Sequence, residues 1–230
     1  MKDKVFGALL VLLWLLALVG CLFMTLRVLI NDEAYFQRGY EKLDMQSLIG
    51  ISDEDCTRSL MRMIDYMEGR VDAIQLTVTE NGERVDMFNQ QEIDHMVDVR
   101  TLYQAWRTVA WCALGALALL LALLVIKPCR ALVLRALGRA WIVLGVAVAA
   151  AGIWVLADFN SFWMQFHYLF FDNDLWLMDP AVCRMIRICP IELFYGIVVR
   201  VGVVFLTAFG ALPALGAILI KRRDRKEGRA

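Results

Sequence analysis

The sequence predicts a mainly α membrane protein, with four transmembrane helices and a small α+β extracytoplasmic head carrying one β-hairpin between spans 1 and 2. Three observations predict it. Hydrophobic residues make up 60% of the 230 positions and charged residues 21%, a balance too apolar for a soluble domain of this length. Four apolar runs, near 6–30, 104–126, 140–157 and 191–220, approach or exceed the roughly 20 helical residues that a hydrocarbon core of about 30 Å requires. The formal net charge of zero conceals a segregation, since residues 31–103 hold sixteen Asp and Glu against seven Lys and Arg. Basic residues gather instead at Lys2 and Lys4, at Lys127, Arg130, Arg135 and Arg139, and from Lys221 to Arg229. The positive-inside rule assigns those three places to the cytoplasm, so both chain ends are expected there and residues 31–103 and 158–190 outside.

The first span, within 1–30, contains Leu18-Val19-Gly20-Cys21, which has the look of a lipoprotein signal box. Cys21 is followed by Leu-Phe-Met-Thr-Leu rather than by a polar tether, and the run continues for nine residues beyond it, so an uncleaved span is the better reading. In the head, 31–103, Ser52 with Asp55 three residues on starts a helix and Gly69 stops it. Ala73 to Thr79 alternates as a strand, and Asn81-Gly82 before Arg84–Phe88 signals a tight hairpin. Asn89 with Glu92 forms a second capping box, and no breaker follows until Pro128. One helix is therefore expected to run from the head through the second span, 104–126.

A cytoplasmic loop is expected at 127–139 and the third span at 140–157. The outward segment 158–190 opens with Phe159-Asn160-Ser161-Phe162-Trp163-Met164-Gln165-Phe166-His167-Tyr168-Leu169-Phe170-Phe171, too aromatic for a solvated loop and suited to the membrane interface. A fourth span, 191–220, and a basic tail, 221–230, complete the chain. Arg200 lies inside the fourth span, where a charge is costly, and is expected to snorkel outward or to pair with Asp158. Arg27 and Arg107 near outer span ends call for no special partner.

The chain has two histidines, and the topology puts His95 and His167 on the same side. Glu92 and Asp98 stand three residues either side of His95, close enough on a helix to orient an imidazole. The nine residues from His95 to Gln104 span roughly 13 Å of helix, the depth of a headgroup layer. Two imidazoles can serve as general base and general acid near neutral pH without a metal or other cofactor. Asp172-Asn173-Asp174-Leu175-Trp176-Leu177-Met178-Asp179-Pro180 reads first as a capping turn, with a Ca²⁺ loop the weaker reading because the carboxylate spacing is incomplete. No glycine-rich phosphate loop or nucleophile elbow occurs, and the short basic tail gives no case for nucleic acid.

The stretches Phe88–Val99, Phe170–Pro180 and Pro190–Phe194 resemble the lipoprotein intramolecular transacylases, four-span bacterial membrane proteins that make lyso-form lipoproteins. The likeness extends in order and topology over nearly the whole chain, and is most specific in His-Met-x-Asp-Val and Asn-Asp-x-Trp-x-x-Asp-Pro. It implies a plasma-membrane acyltransferase with its site on the extracytoplasmic face. Such an enzyme moves one acyl chain of a diacylated lipoprotein from the diacylglyceryl group on the N-terminal cysteine to that cysteine's α-amino group. By the same resemblance His95 and His167 are the catalytic pair. Glu92, Asp98, Asn173, Asp174, Trp176, Asp179 and Arg200 are candidates for supporting roles or for binding substrate. Cys183 stands where a polar or acidic residue is expected after Asp-Pro. The partners implied are diacylated lipoproteins and membrane lipids. Competing readings are a four-span sensor or accessory subunit with an acidic head, a bis-histidine haem protein, and a lipase that hydrolyses rather than transfers.

Overall fold

The computed structural model of the protein describes residues 2–226. Among them, four helices are long and apolar enough to cross a membrane: Lys4–Ile30, Gln90–Val125, Pro128–Ala157 and Ile191–Arg222. The chain divides into two compact units. One combines the residues before Arg27 with Arg107–Ala157 and the residues from Val201 on; the other combines Arg27–Trp106 with Asp158–Arg200.

In the first unit, helix α1 (Lys2–Ile30) runs unbroken through Cys21, in keeping with an uncleaved span. Gly20 in α1 lies so close to Ala113 that a Cβ built on the glycine would sit 2.3 Å from the alanine's Cβ. Ala17, Ala110 and Ala113 are all but fully buried nearby. Small side chains thus let two backbones approach, the usual solution where lipid removes the hydrophobic drive to associate. Leu10, Trp14, Leu120, Leu137, Trp141 and Phe205 form the apolar core, Trp141 stacking on Phe205 at 5.8 Å. One polar atom inside it is matched, the Trp14 indole N–H donating to the Val133 carbonyl at 3.0 Å.

Two expectations need correction here. Residues 127–139 are not a loop, because α6 (Lys127–Ala157) begins one residue after Ile126. Pro128 falls in its first turn, where the missing N–H costs nothing and φ is already helical, and Ala-Leu-Val-Leu-Arg-Ala-Leu then propagates it. The fourth run is two helices, α9 (Ile191–Phe209) and α10 (Leu212–Lys226). The break precedes Pro213, which disfavours helical geometry in the residue before it and can only sit in a first turn.

In the second unit, Asp32 caps α2 (Glu33–Leu43) by accepting from the Tyr35 amide. Asp44, left-handed at φ 54°, ends α2 and caps α3 (Met45–Ile49). These two helices were not individually anticipated. Ser52 caps α4 (Asp53–Glu68) and Gly69, at φ 78°, stops it, as the sequence predicts. The hairpin is shorter than expected: β1 (Thr77–Glu80) pairs antiparallel with β2 (Glu83–Asp86), Val78 opposite Val85. Asn81 and Gly82 both have positive φ, 51° and 88°, as a two-residue turn matched to strand twist requires. Asp55 accepts from the Thr79 amide and Arg58 donates to the Thr77 carbonyl, tying the hairpin to α4.

Asn89 and Glu92 form the predicted reciprocal box at the start of α5 (Gln90–Val125), a 36-residue helix that continues without interruption, as the absence of breakers implied. Arg27, which the sequence left without a partner, donates twice to Glu68 at 2.8 and 3.0 Å, and the Tyr103 hydroxyl donates to the same carboxylate. Burial alone would raise the Glu68 pKa, but the bonds from Arg27 and Tyr103 outweigh it and hold the group below its usual range. The aromatic segment is not a loop: α7 (Phe159–Phe170) is capped by Asp158, which accepts from the Ser161 amide, and α8 (Arg184–Arg187) follows.

Candidate active site

Two elements of the second unit bring the histidines together. His95 lies in the second turn of α5 and His167 in the last turn of α7, and both are buried. Their ring centroids are 6.2 Å apart with planes inclined at 32°. Phe171 stands against both, 5.2 Å from His95 and 5.6 Å from His167. Trp163 meets His167 edge to face at 4.9 Å, and Trp176 stacks on it at 4.9 Å and 25°. Among the described residues no group of three His, Cys, Asp or Glu side chains suits a metal ion.

The two imidazoles differ in their bonding. His167 Nδ1 lies 2.7 Å from the Trp163 carbonyl one turn back on α7. A carbonyl only accepts, so Nδ1 carries the proton in the neutral ring and Nε2 holds the free lone pair. Burial pushes the His167 pKa below its ordinary value, partly opposed by that bond, and keeps the ring neutral at neutral pH. His95 Nδ1 is buried with no hydrogen-bond partner.

Neither carboxylate proposed to flank His95 is given over to it alone: both bond other groups, although Asp98 lies near enough for its charge to act on the imidazole. Glu92, only 1% exposed, accepts from the Asn89 amide through one oxygen and from the Met185 amide, at 2.5 Å, through the other. Asp98 accepts from the Asn173 side chain at 2.8 Å. The segment following α7 is fastened to α5 by these bonds and by Gln91, whose Nε2 donates to the carbonyls of Leu175 and Leu177 at 3.0 and 3.1 Å. Asn173 also accepts from the Leu175 amide, which closes a local turn. Asp174 turns the chain through its carbonyl, which accepts from the Leu177 amide. Asp179 acts as a capping turn, its side chain accepting from the Ala181 amide and its carbonyl from Val182 and Cys183. Trp176 lies within the ring cluster. Arg200 is not paired with Asp158, which caps α7; it donates to Asp32, itself the cap of α2, at 2.7 Å and lies over the Tyr35 ring at 4.8 Å.

Sequence reasoning missed Gln91, Phe171 and the anchoring of residues 184–187. Arg184 and Arg187 both bridge Glu80 of the hairpin, at 2.7 and 2.8 Å. These two guanidinium groups hold the Glu80 carboxyl below its usual range although burial acts the other way. Glu80 and Arg184 are 104 positions apart, and no local pattern announces such a pair.

Four helices long and apolar enough to span a membrane mark a multi-pass membrane protein, one whose two histidines are buried inside an aromatic shell. The family model described as lipoprotein intramolecular transacylase Lit matches residues 11–194. The chain therefore belongs to the lipoprotein intramolecular transacylases, a family of acyltransferases, and the sensor reading falls with that finding. Similar solved structures are of the membrane integral lipoprotein intramolecular transacylase Lit of Bacillus cereus. One is 17% identical with a TM-score of 0.75, and the match covers 99% of this chain and all of that one. A second, with one histidine replaced by arginine, is 16% identical with a TM-score of 0.73 and covers 98% and 96% of the two chains. A third, with a histidine replaced by alanine, is 17% identical with a TM-score of 0.72, covering 96% and 97%. At such identities the structures speak to the fold. No curated protein matches the sequence.

Proposed function

We propose that this protein moves one fatty acyl chain from the diacylglyceryl group on a lipoprotein's N-terminal cysteine to the α-amino group of the same cysteine. His95 and His167 are its acid–base pair, and its site is on the extracytoplasmic face of a bacterial plasma membrane. The observation that carries this reading is the meeting of the chain's two histidines, 72 positions apart, at 6.2 Å inside an aromatic shell.

The chemistry asks for little more. The amine nitrogen attacks the ester carbonyl, a C–N bond forms, and the C–O bond to glycerol breaks. The amine loses one proton and the glyceryl oxygen gains one, so what the pair takes up it returns. His167 Nε2 is the atom suited to accept, because its Nδ1 is committed to Trp163. Amine and ester belong to one molecule, so holding them together supplies much of the rate through proximity. The rings around the histidines exclude water, which favours transfer over hydrolysis. Membrane lipids would supply the surroundings of the acyl chains.

The test is mass spectrometry of a diacylated lipopeptide's N-terminus after incubation with the purified protein. Transfer conserves the acyl mass, whereas hydrolysis loses one chain. His95→Ala and His167→Ala should each lower the rate by about 10² or more, with membrane insertion intact and the double variant little worse than the weaker single one. A fully active His167→Ala protein would sink the proposed pair.

A further inference from the structure

We infer that Trp176 is a catalytic hydrogen-bond donor, its indole N–H receiving the oxyanion of the tetrahedral intermediate, and that Gln91 is the residue that positions it. This rests on the transacylase reading above and assigns a part of the machinery which that reading leaves open.

Buried donors in a folded protein are nearly always matched, and an exception calls for a reason. Among the described residues six buried side-chain nitrogens have no hydrogen-bond partner: Arg62 Nε, His95 Nδ1, Trp141 Nε1, Trp176 Nε1, Arg187 Nε and Arg200 Nη1. Arg187 and Arg200 bond carboxylates through other nitrogens of the same group. Trp141 is stacked on Phe205 in the apolar core of the first unit. The two that remain alongside Arg62, His95 Nδ1 and Trp176 Nε1, belong to one cluster of rings. Trp176 lies face to face with His167 at 4.9 Å and 25°, so its N–H, which lies in the ring plane, does not point at that imidazole. No oxygen or nitrogen among the described residues accepts from it.

An oxyanion donor must be fixed before charge develops, so that no reorganisation is needed during the reaction. Trp176 meets that requirement on both sides. Gln91 donates to the carbonyls of Leu175 and Leu177, the residues immediately before and after it. The Met178 amide donates to the carbonyl of Trp176 itself. When the C–N bond forms, the ester carbonyl oxygen takes the negative charge; when the C–O bond breaks, it gives the charge back. The indole keeps its proton throughout, so no proton acceptor is needed.

The experiment measures kcat and KM for transfer on a synthetic diacylated lipopeptide with the purified full chain. Trp176→Phe keeps a stacked ring and removes the N–H. We expect kcat to fall by about 10² with KM changed by less than about threefold. A Trp176→Phe protein with kcat within about threefold of the parent overturns the assignment. Should that variant not fold, benzothienylalanine placed at position 176 alone keeps the bicyclic shape without the N–H, and the same two outcomes decide. Gln91→Leu should lower kcat while KM holds, and the double variant should be no slower than Trp176→Phe, because the two act as a unit. Additive losses would remove the role given to Gln91. Parent protein that does not transfer the acyl chain would instead overturn the proposed function.

Discussion

The two units are held together by different means. In the first, Leu10, Trp14, Leu120 and Phe205 are almost completely buried, and the described polar tie inside the core is one indole N–H on one carbonyl. In the second, ties between distant residues are polar: Arg27 to Glu68, Arg200 to Asp32, Arg184 and Arg187 to Glu80, and Glu92 to the amide of Met185. The difference follows from solvent. Lipid is as apolar as a leucine core, so the first unit gains from close contact alone, whereas polar ties fix the relative position of loops only where charged groups are affordable. The ring cluster lies in this second unit, and two of the buried nitrogens left without a partner, His95 Nδ1 and Trp176 Nε1, belong to it.

Replacing Glu92 is the strongest way to break this comparison. Glu92→Leu removes two hydrogen bonds to a buried carboxylate and orphans the amides of Asn89 and Met185, which should cost about 2–4 kcal/mol. The check is the thermal midpoint in detergent together with proteolysis mapped by mass spectrometry, the cuts appearing within 27–106 and 158–200. A variant as stable as the parent, or cuts confined to the first unit, would show that polar ties do not govern the second. In the first unit the corresponding change is steric. Gly20→Leu forces a side chain into space held by Ala113 and should cost about 1–3 kcal/mol, insensitive to salt. A neutral effect would mean that this helix contact is not close in the membrane.

The smallest effect is on a pH profile. His167 is held below its ordinary value of 6.5. Its lowered pKa means the neutral, proton-accepting form persists as pH falls through 6.5 and is lost only below that. The acid limb of kcat should therefore lie below pH 6.5, while the stability of the first unit stays flat over the same interval. An acid limb above 6.5 would contradict the neutral, buried imidazole.

Much of this architecture can be read from local chemistry. The Ser52 cap, the capping box at Asn89, the stop at Gly69 and the Asn81-Gly82 turn each depend on residues within a few positions of one another and form as expected, although the Asp55 carboxylate bonds the Thr79 amide rather than closing a box on Ser52. The histidines could be placed together because topology alone puts both on one side. Most of what escaped depends on distant partners. Segment 159–170 escaped for another reason: its aromatic content reads as an interfacial loop, although Asn160, Ser161 and Gln165 recur at helical spacing. Arg200 pairs with Asp32 rather than Asp158, although each carboxylate caps a helix, and no single motif displays which of the two it meets. Glu92 looked like a neighbour for His95 by spacing, yet its oxygens were claimed by the helix cap and by a residue 93 positions on.

That last bond also sets a timetable. Glu92 closes its half of the capping box as soon as Asn89 and the first turn of α5 exist, but its second oxygen waits for Met185. Ribosomes add roughly 5–20 residues per second, so the 93 intervening positions take roughly 5–20 s to make. Throughout that interval the nascent chain carries a carboxylate placed for a partner that has not been synthesised, and His167 joins His95 only near its end. The arrangement is thus completed late, and a chain truncated before Met185 would keep the bonds of Gln91 and Asp98 to residues 173–177 but leave one Glu92 oxygen unmatched.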